Sequence, residues 1–296
     1  MSSYPGPAEL GAGLLARCSF PPAGTELACA VSGGADSLAL LVLAVAAGCR
    51  VSAYHVDHAL RPESAGEADV VAAAAERFGA GFVSLRAPVA PGPNVEERAR
   101  DARRSVLPAG AATGHTADDQ AETVVLNLLR GAGLDGLAGM RAGPSHPILG
   151  LRREETGRLC LEAGLTPVVD PTNACLDMRR NRVRHEVMPL LERVGGRDVA
   201  ALIARQAALL AADADQLDAL AAGIDPQAVA EVAAAPAPLA RRALRAWLRG
   251  ELGGRPPSAA AIERVMAVVR LEARAAEVGR GVTVRRRAGR LYFAHD

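Results

Sequence analysis

The chain has 296 residues, half of them apolar, and a formal net charge of +1. Its length suggests about two domains. Its near-neutral charge excludes a global pull onto nucleic acid or membrane, so any RNA-binding surface must be a local patch. All 34 basic residues are arginine, and without lysine the chain cannot be a lysyl-adenylate ligase, a Schiff-base enzyme or a pyridoxal enzyme.

In chain order, residues 1–15 lack the basic region and long apolar run of a signal peptide. No apolar stretch reaches about 18 residues, so no transmembrane helix is expected. The five cysteines (Cys18, Cys29, Cys49, Cys160, Cys175) form no C-x-x-C pair, which reads as reduced thiols in a cytoplasmic protein. A strand over 27–31 runs into Ser32-Gly33-Gly34-Ala35-Asp36-Ser37, and a helix is expected over 38–47. Strand, glycine loop and helix start suit an anion. Glycine lets the backbone approach closely, and the helix start presents N–H groups and a positive dipole end. Ser32 and Ser37 add hydroxyls. Asp36 would repel a bare phosphate, so magnesium between the two is the natural reading. The loop lacks the Gly-Lys of a Walker motif.

Strands at 51–56, 82–85 and 109–113 then alternate with helices at 67–78, 94–107 and 116–130. Asn94 with Glu97, and Thr116 with Asp119, read as helix N-caps, and Gly131 as a terminator. The alternation predicts an α/β fold with a doubly wound, Rossmann-like parallel sheet carrying helices on both faces. Ligands bind such sheets at the carboxyl ends of the strands, where the glycine loop, His55-Val56-Asp57-His58 and Gly114-His115 all fall. Residues 131–143 are glycine-rich and read as mobile; 151–163 reads as a helix and 179–193 as a basic helix. Gly195-Gly196 marks the expected boundary between a catalytic domain over 1–195 and a smaller, mainly helical domain over 196–296. The second domain carries helices at 199–222, 238–252 and 258–271 and a terminal hairpin at 282–293 around Ala288-Gly289.

The glycine loop is similar to the pyrophosphatase loop of the N-type ATP pyrophosphatases. Further motifs narrow the match: His55-Val56-Asp57-His58-Ala59-Leu60-Arg61, Ala99-Arg100-Asp101-Ala102-Arg103, and Gly114-His115-Thr116-Ala117-Asp118-Asp119-Gln120-Ala121-Glu122-Thr123. So do Leu129-Arg130-Gly131, Gly136-Leu137-Ala138-Gly139-Met140, Asp170-Pro171-Thr172-Asn173 and Arg180-Asn181-Arg182-Val183-Arg184. Over about residues 27–192, in order, they resemble the tRNA(Ile)-lysidine synthetases; the C-terminal third matches loosely. The resemblance implies a carbon-nitrogen ligase. ATP adenylates the C2 oxygen of the wobble cytidine in an isoleucine tRNA with a CAU anticodon, free L-lysine then attacks C2 through its side-chain amine and AMP leaves, and decoding shifts from AUG to AUA.

Each role has a plainer competitor. Asp118, Asp119 and Glu122 could simply complement a helix dipole; the functional reading has Asp119 and Glu122 hold the lysine cation. Lysine's amine, with an ordinary pKa of about 10.4, must also lose a proton to attack, and either carboxylate could take it. Arg100 and Arg103 could be solvated; the family reading puts Arg100 in the active site near phosphate or carboxylate. His55, Asp57 and His58 would shape the nucleotide pocket rather than bind zinc, since three ligands so tightly spaced at a strand end cannot all face one ion and no cysteine follows at ligand spacing. His115 would line that pocket or cap the helix. Arg179, Arg180, Arg182 and Arg184 form the densest basic cluster, a solvated face or a tRNA footprint. Two positions depart from the family pattern: Arg104 where tyrosine is usual, and His146-Pro147-Ile148-Leu149 where Arg-Pro-Leu-Leu is usual. A tRNA 2-thiolase, which usually needs paired cysteines, and a non-catalytic tRNA-binding module are the alternative functions. Oligomeric state stays open, a homodimer included.

Overall fold

The structure, a computed structural model, describes residues 5–58, 65–90, 92, 95–169 and 175–295. The expected cap at Asn94, the Ala59-Leu60-Arg61 end of one motif and the Asp170-Pro171-Thr172-Asn173 motif lie outside the described residues. The chain divides into two compact units, Met1–Leu210 and Ala211–Asp296.

In the first unit, β1 (Glu26–Ala30), β2 (Arg50–Asp57), β3 (Gly81–Arg86) and β4 (Ala112–Thr113) form a parallel sheet in the order β3-β2-β1-β4. Successive strands step outward from β1 on one side, while β4 sits on the other. The chain therefore reverses direction across the sheet between β1 and β4, and a crevice opens at their carboxyl ends. The helices are α1 (Pro7–Gly11), α2 (Ala35–Ala46), α3 (Ala65–Phe78), α4 (Val95–Val106), α5 (Ala117–Leu129), α6 (Leu134–Leu137) and α7 (Arg153–Glu162). Helix α2 is apolar all round and fully buried from Leu38 to Ala44, as the central helix of a core must be. It packs with Leu27 and Cys29 of β1, Val51 and Ala53 of β2, and Leu159 and Cys160 of α7. Burial pushes the Cys29 and Cys160 thiols up to about 12, so they are inert packing groups.

Three elements differ from the sequence expectation. Strand β4 is only two residues long, because 108–111 is spent on a turn closed by Ala111 N–H to the Pro108 carbonyl at 3.1 Å, with Gly110 at φ 76°. The glycine-rich stretch after Gly131 contains the short helix α6 and is tied at its far end to Gln120. Its Nε2 donates to the carbonyls of Ala138 and Met140 at 3.3 and 3.0 Å, and its Oε1 accepts from Met140 N–H at 2.8 Å. The basic helix is built in three pieces: α8 (Arg179–Arg182), a π-helical turn (Val183–Val187) and α9 (Met188–Gly195). Pro189 has no N–H to continue the α-helical ladder, and the preceding turn widens.

Helix α10 (Val199–Ala221) follows. Its first turns belong to the first unit, where Ala200 and Ile203 pack against Ala121, Val125, Val183 and Met188. The units consequently part inside α10 rather than at Gly195-Gly196, which only closes α9 with Gly196 in the left-handed conformation. The second unit holds α11 (Val229–Ala234), α12 (Ala237–Glu251) and α13 (Ala259–Val269), the last capped by the Ser258 hydroxyl. The expected hairpin is present as β6 (Val282–Arg287) and β7 (Arg290–His295), turning through Ala288 and Gly289 at φ 50° and 76°. A third strand, β5 (Ala275–Gly279), pairs antiparallel with β6. Its Ala-Ala-Glu-Val-Gly sequence carries too little β-branched character to stand apart from the helices before it. Among the described residues, no helix is long and apolar enough to cross a membrane.

Candidate active site

The loop between β1 and α2 lies at the β1/β4 crevice. Gly33 has φ 90°, and its carbonyl accepts the Val168 N–H at 3.0 Å. Ser37 folds the loop on itself: its hydroxyl donates to the Gly34 carbonyl at 2.8 Å and accepts the Ser32 N–H at 3.1 Å. Part of the donor capacity expected of Ser32 and Ser37 is thus spent inside the loop. A Cβ on Gly114 would stand 2.6 Å from the Asp36 carbonyl oxygen. Only glycine lets the exit of β4 lie against the start of α2, which brings His115 and α5 beside Asp36.

Helix α5 starts under a constraint that divides Asp119 in two. Its Oδ2 accepts both the N–H and the hydroxyl of the buried Thr116 at 2.9 Å. Its Oδ1 faces three arginines: Arg180 at 2.9 Å, Arg153 at 3.1 Å and Arg184 at 3.5 Å. Glu122, 2% exposed, commits both oxygens to the same guanidiniums, with Arg184 at 2.7 Å, Arg180 at 2.9 Å and Arg153 at 3.2 Å. Arg153 also stands 3.6 Å from Asp36 Oδ2, while Asp36 Oδ1 accepts the hydroxyl of the fully buried Thr156. Asp118 turns away and accepts from Arg152 at 2.9 and 3.1 Å and from the Arg153 N–H at 2.8 Å, pinning the start of α7. Four carboxylates (Asp36, Asp118, Asp119, Glu122) meet four guanidiniums (Arg152, Arg153, Arg180, Arg184).

This electrostatic frame separates the acids. Burial raises the Asp36 carboxyl above its ordinary value, aided by Asp119 and only partly offset by Thr156 and Arg153. Burial also raises Asp119, but Arg153, Arg180 and the Thr116 N–H outweigh it and hold the carboxyl below its ordinary value. Arg152 and the Arg153 N–H do the same for Asp118 against its burial. Beside these groups opens a cleft of about 120 Å³ lined by Asp118, Glu122, Arg153, Arg184, Met188 and Glu192.

The expected nucleotide-pocket histidines bind strand ends. His55, 1% exposed, places Nδ1 3.1 Å from the carbonyl of Val31, the residue before the loop, and its buried Nε2 has no partner among the described residues. His58 Nδ1 lies 3.1 Å from the Ala87 carbonyl. His115 reaches Thr113 rather than capping α5. Arg100 stands near enough for its charge to lower both His115 and His146. It therefore belongs to the His115 side of the crevice. Arg103, on the same helix, is drawn down by burial and by Arg104.

The basic cluster splits by helical phase. Arg180 and Arg184, four apart, turn inward onto Asp119 and Glu122. Arg179 and Arg182 are exposed, and Arg182 pairs with Glu186 at 3.3 Å. Sequence reasoning missed Arg152, Arg153 and Thr156. One signal was available: two arginines at a helix start oppose the dipole, so the position demands nearby carboxylates.

Residues 15–191 match the family model of the PP-loop domain, and residues 228–292 that of the TilS substrate binding domain. The tRNA(Ile)-lysidine synthase of Nocardia farcinica is 43% identical over 268 residues, covering 84% of this chain and 83% of that protein. The Rhodococcus jostii enzyme of the same name is 41% identical over 294 residues, covering 92% and 90%. That of Salinispora tropica is 42% identical over 296 residues, covering 88% of each. Loop, acidic helix and both domain matches thus agree with these similarities over most of each chain, and the chain belongs to the tRNA(Ile)-lysidine synthase family.

Proposed function

We propose that this chain joins free L-lysine to C2 of the wobble cytidine in an isoleucine tRNA with a CAU anticodon, at the cost of ATP. The observation that carries the reading is Arg153, which reaches Asp36 at 3.6 Å and Asp119 and Glu122 at 3.1 and 3.2 Å. One guanidinium joins the nucleotide loop to the carboxylates suited to an amino-acid cation.

In the first step the cytidine O2 attacks the α-phosphorus, and pyrophosphate leaves. The α2 N-terminus and loop backbone stabilise the charge that develops on phosphate oxygens. Asp36 fits a magnesium ion: it is a hard oxygen donor beside the anion cradle whose charge Arg153 only partly offsets. Bound there, magnesium would supply neutralisation of the phosphates. In the second step the lysine side-chain amine attacks C2, the C2–O2 bond breaks, and AMP leaves with that oxygen. The amine's proton goes to a carboxylate, and Glu122 suits this better than Asp119. Both Glu122 oxygens face the cluster, whereas Asp119 commits Oδ2 to the helix cap. The lysine ammonium must first exchange with the Arg180 and Arg184 guanidiniums that neutralise these acids. The exposed Arg179 and Arg182 suit tRNA phosphates, which position the RNA without choosing its sequence.

The test is incubation with ATP, labelled lysine and a CAU-anticodon isoleucine tRNA transcript. The reading expects label in the RNA and stoichiometric AMP. Sulfur-dependent, lysine-independent AMP release would overturn it in favour of thiolation, and pyrophosphate release indifferent to tRNA and lysine would leave only a binding module.

A further inference from the structure

Thr113 ends β4 at the mouth of the crevice. Its hydroxyl oxygen lies 2.7 Å from His115 Nδ1, 2.8 Å from His146 Nδ1 and 3.1 Å from the Ser145 carbonyl. A hydroxyl donates one proton and accepts through two lone pairs, and a carbonyl can only accept. All three contacts are hydrogen bonds in a single assignment. Thr113 donates to Ser145, and each imidazole donates its Nδ1–H to Thr113. The rings meet edge to face, 5.1 Å apart at 84°.

We propose that Thr113 is a positioning residue, which with His146 as a brace holds His115 as its Nδ1-protonated tautomer, so that the bare Nε2 accepts a hydrogen bond from an exocyclic amino group of a nucleobase. With Nδ1 engaged by Thr113, Nε2 is the ring nitrogen left to meet a ligand. The ring stays neutral because burial pushes it down to about 4, helped by His146, Arg180 and Arg100 and opposed by Asp119. Burial, Arg100 and Arg104 likewise lower His146. A neutral ring fixed at Nδ1 can only accept at Nε2. Adenine of the nucleotide and cytosine of the RNA both carry such an amino group.

The inference rests on the ligase reading above, and its test separates the two. In protein labelled with 15N-histidine, the His115 nitrogens are expected to show a protonated Nδ1 and a bare Nε2 at pH 7. Thr113→Val, nearly isosteric, should mix or reverse that pattern, and Thr113→Ser should restore it. His146→Asn should give a smaller disturbance. In the labelled-lysine assay, Thr113→Val should raise one Michaelis constant about fivefold, the loss of one neutral hydrogen bond. A rise for ATP assigns the amino group to adenine, and a rise for tRNA assigns it to cytosine. A protonated Nε2 in the wild type, a spectrum unmoved in Thr113→Val, or a loss carried by kcat with both Michaelis constants unchanged overturns the proposal. A wild-type protein that makes no lysidine overturns the ligase reading instead, and leaves the histidine spectra standing.

Discussion

The two halves of the candidate site are built by opposite strategies. The loop between β1 and α2 is one contiguous segment whose groups are mostly backbone, shaped by glycine and by the Ser37 hydroxyl. The acid–arginine cluster is assembled from side chains on α2, α5, α7, α8 and the π-helical turn, with partners as much as 120 residues apart. A backbone cradle offers fixed dipoles at little cost in reorganisation. A side-chain cluster of four acids and four arginines can exchange partners, which a site that admits and then deprotonates a cation requires. The cradle suits a ligand that is anionic throughout the reaction, and the cluster suits one that must lose a proton before it reacts.

Substitutions can break that contrast, beginning with the largest effect. Asp36→Asn should abolish AMP formation, with a loss on the order of 10³-fold in the adenylation rate, read as pyrophosphate release in the presence of tRNA. Glu122→Gln should slow lysine transfer about 10²-fold while sparing adenylation; equal loss of both half-reactions would refute the division of labour. Gly114→Ala forces a Cβ to within 2.6 Å of the Asp36 carbonyl, so it should lower stability by about 1–3 kcal/mol, visible as a lower thermal midpoint.

Stability should also fall on acidification. The unfolded chain protonates His115 near its ordinary value of about 6.5, whereas the folded protein resists until about 4. Across that window the unfolded state binds the extra proton, so each unit of falling pH costs up to about 1.4 kcal/mol from this group. Asp118 and Asp119, held below their ordinary values by arginine, extend the loss below about pH 4, as the folded state resists protons the unfolded chain accepts. A midpoint flat between pH 7 and pH 4 would contradict a His115 that stays neutral in the folded protein. The smallest effect should come from Arg179→Ser with Arg182→Ser. The tRNA Michaelis constant should rise a few-fold, and the log–log salt dependence of binding should flatten by roughly 0.7 per lost phosphate contact.

What the sequence revealed follows the same division. The loop, the alternating elements and the Thr116–Asp119 cap are local patterns, and the structure carries each of them. Asp119 and Glu122 were visible as neighbours on one helix face, but what neutralises them was not. Arg153 and Thr156 meet Asp36 only through packing of α7 on α2, and no spacing in the chain encodes that. The basic segment was legible as charge, yet its split into Arg180 and Arg184 within and Arg179 and Arg182 without depends on helical phase through a π-helical turn. Strand β5 escaped because five residues rich in alanine carry no decisive period.

The most direct test is a crystal structure with lysine and a non-hydrolysable ATP analogue. The account expects the lysine side-chain nitrogen at about 2.7–3.2 Å from Glu122 or Asp119, with Arg180 or Arg184 swung off that carboxylate and the α-phosphate facing Asp36. Lysine bound away from α5, or both arginines still clamped on the carboxylate that lysine approaches, would contradict it.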